Sequence, residues 1–168
     1  MTVIRVAEPR DVAALEDIEN LADATLVDYV NAVDWKPAPS GGSRAAMSGF
    51  LLVAAESIDG GPIGFVHVLE VDGIAHLEQL SVRPEYGRRG IGRALVKAAM
   101  AEALARGYGD ITLRTYADVP WNAPFYATCG FVISEPDSAF QRSLVETEDR
   151  LLLQRYGRRV QMTANLSQ

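Results

Sequence analysis

Between Leu80 and Leu95 the chain reads Leu-Ser-Val-Arg-Pro-Glu-Tyr-Gly-Arg-Arg-Gly-Ile-Gly-Arg-Ala-Leu, and the chemistry concentrates there. Over residues 83–93, Arg83, Arg88, Arg89 and Arg93 stand against Glu85 alone, in a protein whose net charge is −6. A strand pattern ends at Val82, Pro84 stops it, and glycines lead straight into an Ala-rich helix. The first amides of a helix have no carbonyl behind them and sit at the positive end of its dipole. Gly90 and Gly92 let the main chain approach a ligand with no Cβ in the way. With the arginines, this describes an anion site suited to a pyrophosphate. Two phosphate loops do not fit. A P-loop needs Lys-Ser/Thr after its last glycine, and here Arg93-Ala94 follows. A dinucleotide fingerprint starting at Gly90 needs Gly or Ala where Leu95 stands, in a βαβ unit beginning near the N-terminus.

A second set of reactive groups lies just upstream, in the strand pattern Ile74–Val82. Strict alternation puts His76, Glu78 and Leu80 on one face and Leu77, Gln79 and Ser81 on the other. His76 and Glu78 then sit roughly 6.6 Å apart on the same side. A carboxylate in a partly desolvated cleft has its pKa raised, and an imidazole titrates near working pH unaided. His67 on the preceding strand reads as structural, and Cys129 as a buried thiol at a helix end.

The elements that must position these groups follow from periodicity. Thr2–Val6 reads as a strand, and a helix opens near Glu8-Pro9, with proline in its first turn. Val12, Leu15, Ile18 and Leu21 are its expected buried row. Residues 31–49 carry two prolines and Gly41-Gly42, which predicts a long irregular segment with room for one short helix. Phe50–Glu56 and Ile63–Val71 bracket Asp59-Gly60-Gly61-Pro62 as a hairpin, and Asp72-Gly73 turns the chain into Ile74–Val82. Gly90–Arg106 is a helix with Leu95, Ala98 and Leu104 inside, stopped by Gly107. Strands at Ile111–Tyr116, Phe131–Ser134 and Arg158–Ala164 alternate with helices at Trp121–Thr128 and Arg142–Gln154. The expected class is α/β layering around a mixed sheet, in one domain over residues 1–168.

With those elements in order, the loop resembles the acyl-CoA loop of the GNAT-superfamily N-acetyltransferases. Their signature, Q/R-x-x-G-x-G/A, falls on Gly87-Arg88-Arg89-Gly90-Ile91-Gly92. Gly87 stands where the family usually has Gln or Arg, which leaves the backbone cradle and Arg88. The family also carries F/L-Y-x-x-x-G-F at about this distance downstream, and Phe125-Tyr126-Ala127-Thr128-Cys129-Gly130-Phe131 fits every fixed position. The resemblance runs from Val3 to about Leu166. It implies a mixed, mostly antiparallel central sheet flanked by helices, and transfer of an acetyl group from acetyl-CoA to an amine by direct attack.

The same resemblance implies roles. Leu80, Ser81 and Val82 would pair their backbone with the pantetheine arm. Arg88, Arg89, Gly90, Ile91, Gly92, Arg93 and Ala94 would hold the pyrophosphate. Asn122 lies close to a common pantetheine contact, a few residues nearer the tyrosine than usual. Tyr126 would protonate the leaving thiolate, since a phenol with pKa near 10 suits a thiolate of comparable basicity. A backbone amide at Leu80 or Val82 would stabilise the oxyanion. For the base, Glu78, His76 and bulk water stay open. The acceptor side falls on Asp28, Tyr29, Asp34 and Trp35 with the loop 36–49, acidic and aromatic groups suited to a cationic amine. Homodimers are common in the family.

Composition bounds the rest. At 168 residues and 48% hydrophobic, the chain can bury one core, and a single cysteine fits a reducing cytoplasm without disulfides or a Cys-rich zinc site. No metal is expected. Net acidity argues against a general nucleic-acid partner, and no apolar run approaches a membrane span. Eight acids against Arg5 and Arg10 within residues 1–35 account for the whole excess. Two further readings are a CoA-binding regulatory module without turnover, and an acyltransferase for another acyl-CoA or an O-acceptor.

Overall fold

Val3–Val6 (β1) leads through a 3-10 turn at Pro9–Asp11 into a long helix, Val12–Val30 (α1), in the computed structural model, which describes residues 2–167. Asp11 fixes this junction. It accepts from the Glu8 amide (2.7 Å) and from both terminal nitrogens of Arg5 (2.6 and 3.0 Å). A five-residue helix, Gly41–Ala45 (α2), interrupts the long irregular segment, capped by Ser40. The segment is pinned back along α1 by the Ala38 amide donating to Asn20 Oδ1 (2.9 Å). A Cβ on Gly41 would lie 1.8 Å from the Val12 carbonyl oxygen, so only glycine lets α2 dock this close to α1.

Three antiparallel strands follow: Gly49–Ala55 (β2), Pro62–Val71 (β3) and Ile74–Val82 (β4). Asp72 and Gly73 both take positive φ (52° and 79°), the two-residue turn that matches strand twist. Then come Ile91–Ala105 (α3), Asp110–Tyr116 (β5), Ala123–Thr128 (α4), Val132–Ser134 (β6), Ala139–Arg150 (α5) and Arg159–Asn165 (β7). The seven strands form one sheet in the order β1-β2-β3-β4-β5-β7-β6, and β4 and β5 are its parallel pair. The mixed, mostly antiparallel sheet between helices is the expected architecture.

Two helix faces differ from the periodicity reading. Leu21 is 40% exposed and Leu104 45% exposed, although both were expected inside. The reason is geometric. At 3.6 residues per turn, each step of three falls about 60° short, so Leu21 lies across the helix from Val12 and Leu104 across from Leu95. The buried sets are Leu15 and Ile18 in α1, and Ile91, Leu95, Val96, Ala99 and Ala103 in α3. The last long helix begins at Ala139 rather than Arg142, because Ser138 caps it through the Gln141 amide (3.1 Å). Helix α3 covers the larger apolar cluster on one sheet face, where α4 also packs. On the other face α1 packs Leu15 and Ile18 against Val53 and Phe65. Helix α5 lies on that second face too, through Phe140 and Glu148.

Candidate active site

Strand β4 is not regular. His67 pairs with Gln79 and Val68 with Leu77, so Glu78 has no residue opposite it and forms a bulge. The bulge resets the alternation. Leu77, Leu80 and Val82 all join the cluster under α3, whereas Gln79 and Ser81 share the other face and are hydrogen-bonded (3.0 Å). Leu80 is therefore not on the face of His76 and Glu78, as unbroken alternation required.

The parallel pairing of β4 with β5 ends with His76↔Thr112 and Leu77↔Leu113. Beyond that point the two strands part, and β4 keeps β3 alone. The Arg83 amide bonds to the Ile63 carbonyl (2.8 Å), which in the register Val82↔Gly64 and Ser81↔Phe65 turns the polar backbone of residues 81 and 83 toward β3. The N–H and C=O groups of Leu80 and Val82 consequently point into the opening between the strands. The anion loop begins at the end of this free edge.

Arg88 (φ 61°) and Gly90 (φ 78°) both take the left-handed conformation in that loop. The Ala94 amide makes the first helical bond of α3, to the Gly90 carbonyl (3.0 Å), so the amides of Ile91, Gly92 and Arg93 precede the helical ladder. A Cβ on Gly92 would meet Phe125 at 3.8 Å and Leu80 at 3.9 Å, ordinary contacts that a methyl tolerates. Those distances also bring the start of α3, the free edge of β4 and helix α4 into one layer. Arg88 is exposed, and Arg89 lies over the Tyr86 ring (5.2 Å). Arg93 is turned elsewhere. Its guanidinium donates to Thr128 Oγ1 (2.8 Å) and the Thr128 carbonyl (3.2 Å) and covers Phe125 (5.6 Å), so it ties α3 to α4 and leaves its amide to the loop.

Tyr126 is half-buried on the same layer, edge-on to Phe125 (5.2 Å) and Phe131 (5.8 Å). Burial, with Cys129 nearby, raises its pKa above the ordinary phenol value. The Oδ1 of Asn122 accepts from Thr115 Oγ1 (2.8 Å), which fastens the end of β5 to the start of α4.

On the opposite sheet face, Arg44 of α2 is 2% exposed and organises a polar network that periodicity did not reveal. It grips Glu19 of α1 through two bonds (2.9 and 3.0 Å), donates to His67 Nδ1 (2.9 Å) and reaches Glu78 at 3.6 Å. Arginine can only donate, so Nδ1 of His67 is the unprotonated nitrogen. Burial and Arg44 pull the His67 pKa down to about 4. Glu78 keeps 34% of its side chain open; burial raises its pKa and Arg44 opposes the rise. His76 is buried, bonded to Thr112 Oγ1 (2.8 Å) and edge-on to Phe140 (5.6 Å). Burial, helped by Arg114, pulls its pKa down to about 4, so it is neutral at working pH. Glu19 was legible in principle, as an acid one helical turn after Leu15 on the apolar stripe. Arg44 sits where no periodicity marks it.

Across the opening, Arg114 of β5 and Arg159 of β7 share the carboxylate of Glu148 in α5. At the outer rim Asp28 is exposed, Tyr29 stands edge-on to Trp121 (5.0 Å), and Trp35 lies 6.0 Å from Tyr156. Asp34 is held by Arg155 (2.9 Å) and by the Tyr156 hydroxyl. A cavity of about 310 Å³ between α1 and the following loop is lined by Asp23, Asp28 and Trp35 among others. Burial beside Glu19 raises Asp23 to about 6. Among the described residues no group of His, Cys, Asp and Glu could hold a metal ion, and no helix is long and apolar enough to cross a membrane.

A mixed sheet parted between two parallel strands, with a glycine-rich loop and a helix start at the opening, defines an acyl-CoA N-acyltransferase architecture. The chain belongs to the Acetyltransferase (GNAT) family, which matches residues 16–131, and is an acyltransferase of that family. Solved structures share the fold. The ribosomal-protein-S18-alanine N-acetyltransferase of Escherichia coli is 20% identical with a TM-score of 0.70, over 100% of this chain and 96% of that one. The PaiA N-acetyltransferase of Thermoplasma acidophilum, in complex with coenzyme A, is 17% identical with a TM-score of 0.67, over 98% and 99%. N-acetylglutamate synthase of Neisseria gonorrhoeae, complexed with coenzyme A and N-acetyl-glutamate, gives 13% and 0.71 over 100% of this chain and 36% of that one.

Proposed function

We propose that this protein transfers the acetyl group of acetyl-CoA to a primary amine of a small molecule or peptide, by direct attack within a ternary complex. The observation that carries the reading is the free edge of β4, whose outward backbone groups at Leu80 and Val82 lead directly to the left-handed loop before α3. An extended amide-bearing arm fits that edge as a strand would, and a pyrophosphate fits the amides of Ile91, Gly92 and Arg93 with Arg88 and Arg89 beside them. Acetyl-CoA supplies the thioester. The residues of this chain supply the rest.

Glu78, open to the cleft and raised by burial, takes the proton of the incoming ammonium, directly or through water. His76, neutral and bonded to Thr112, shapes the wall beside it. The Leu80 or Val82 amide faces the oxygen that becomes negative as the C–N bond forms. As the C–S bond breaks, Tyr126 gives its proton to the departing sulfur and regains one from the amine nitrogen through solvent, for a net release of one proton. The raised phenol pKa keeps Tyr126 protonated throughout the neutral range. Asn122 positions α4, while Asp28, Tyr29 and Trp35 shape the acceptor entrance. We place this activity in one domain, residues 1–168, in a reducing cytoplasm that suits the lone Cys129. Calorimetric binding of acetyl-CoA together with free-thiol release across a panel of amines tests the reading. Tight binding with no amine-dependent thiol release overturns it in favour of a CoA-binding module.

A further inference from the structure

We propose that the acceptor is a zwitterion of the amino-acid class, carrying a carboxylate beside the amine that is acetylated. This rests on the acetyl-transfer reading above and narrows its substrate. The argument is a count of charges on the two walls of the opening. On the β4 wall, Arg44 is answered by the two-bonded Glu19, and Glu78 at 3.6 Å is a second carboxylate for the same cation. These three groups sum to one negative charge in surplus, at the solvent-open end, and Asp23 beside Glu19 adds to it when ionised.

The β5–β7 wall is the reverse. Arg114 and Arg159 have side chains only 8% and 12% exposed, and a single carboxylate, Glu148, serves both. Glu148 takes Arg114 Nε (2.9 Å) and Arg159 Nε and Nη2 (3.2 and 2.8 Å). Among the described residues no group accepts from Arg114 Nη1 or Nη2, nor from Arg159 Nη1. Among the described residues the buried side-chain atoms lacking a partner are Arg5 Nε and Gln161 Oε1, so these three nitrogens keep some contact with solvent. A mostly buried guanidinium pair with one positive charge in surplus therefore presents free donors outward.

The two surpluses lie on adjoining strands. Leu77 pairs with Leu113 in the parallel register, so Glu78 and Arg114 are the next residues on adjacent strands, where the strands begin to part. Arg159 is close enough to act on Glu78 electrostatically, as Arg114 and Glu148 act on His76. Neutral His76 lies at the start of the opening and adds no charge. An ammonium against Glu78 and a carboxylate against Arg114 and Arg159 would neutralise both walls. A polyamine or an aminoglycoside would set a second cation against the guanidinium surplus. A simple amine would leave those donors to water.

The test uses matched sets of an amino acid, its amide and the corresponding decarboxylated amine, for several side chains, with the acetyl-CoA-loaded protein. Thiol release and calorimetric binding to the CoA-loaded protein are read in parallel. Donors from charged groups predict that the acid exceeds both analogues by roughly tenfold to a hundredfold in kcat/KM and in affinity. Arg114→Met should collapse that ratio toward one, and Arg114→Lys, which keeps the charge, should retain part of it. Amides or amines equalling the acids, or no acid binding at all, overturns the proposal. Amine-dependent thiol release without preference for acids leaves acetyl transfer standing and this inference refuted. Carboxylate-dependent binding without thiol release does the opposite.

Discussion

Replacing Arg44 by Met removes one guanidinium and strands two carboxylates of unequal burial. Glu19, 5% exposed, loses both of its hydrogen bonds, and His67 loses the donor to Nδ1. Breaking a buried pair from one side typically costs about 3–5 kcal/mol, because the remaining charge stays desolvated. Against a total stability of about 5–15 kcal/mol, that is a large fraction. For a chain of this length it corresponds to a fall in Tm of roughly 10 °C. Removing both partners should be gentler. Glu19→Met with Arg44→Met leaves only the part-open Glu78 without its cation, and most of the loss should return. Urea unfolding at constant pH measures all three proteins with the wild type in one double-mutant cycle. A loss under about 1 kcal/mol for Arg44→Met, or no recovery in the double variant, would refute the claim that Glu19 depends on Arg44. The pH–rate profile supplies a second check. Arg44 lowers the Glu78 pKa and Glu19 raises it, so Arg44→Met should move the acidic limb up and Glu19→Gln should move it down.

Glu78→Gln should abolish the acidic limb, which in the native enzyme lies above the usual carboxylate value near ~4.3; a limb that survives unshifted removes Glu78 as the base. Tyr126→Phe should lower kcat by roughly a hundredfold while calorimetry shows acetyl-CoA affinity unchanged, and a wild-type rate would exclude its acid role. His76 titrates near 6.5 when unfolded and near 4 when folded, so the folded state favours its neutral form. Its contribution is fully present above pH 6.5 and is lost as pH falls toward 4, a loss of about 3 kcal/mol. His76→Gln should flatten the stability profile through that window, with His67 supplying the remaining slope; an unaltered profile would contradict the assignment. Gly90→Ala should cost about 1–2 kcal/mol through strain at φ 78°, since a methyl there meets nothing within 4 Å, and should weaken acetyl-CoA binding in the same calorimetric assay.

Punctuation carried most of what the sequence revealed. Asp72-Gly73, Pro84 and Gly90 each impose a backbone conformation of their own, so strands and loop could be placed without any tertiary information. The motif around Tyr126 located α4 in the same way. Contacts between elements distant in sequence were less visible. Arg44 and Glu78 are brought together only when α2 docks through Gly41 onto α1, and no local pattern anticipates that. The bulge at Glu78 was also hidden, because strict alternation assumes that one residue faces one residue. Leu21 and Leu104 show the converse error, a row followed in steps of three until it had left the core face. Arg114 and Arg159 alternate correctly within their strands, but their shared dependence on Glu148 needs the helix in place.

The unpaired backbone of Leu80 and Val82 is an edge inside a sheet rather than at its rim. An ordinary edge strand invites other chains to pair with it and promotes aggregation. Here β5 lies on the far side, and one strand inserted between two neighbours requires roughly 10 Å between the flanking backbones. A ligand occupying that gap would complete the hydrogen-bonding of both amides and join β1–β4 to β5–β7 along a seam otherwise held by two residue pairs. Amide exchange at Leu80 and Val82 should then slow on loading, and the two halves of the sheet should begin to open and close as one unit.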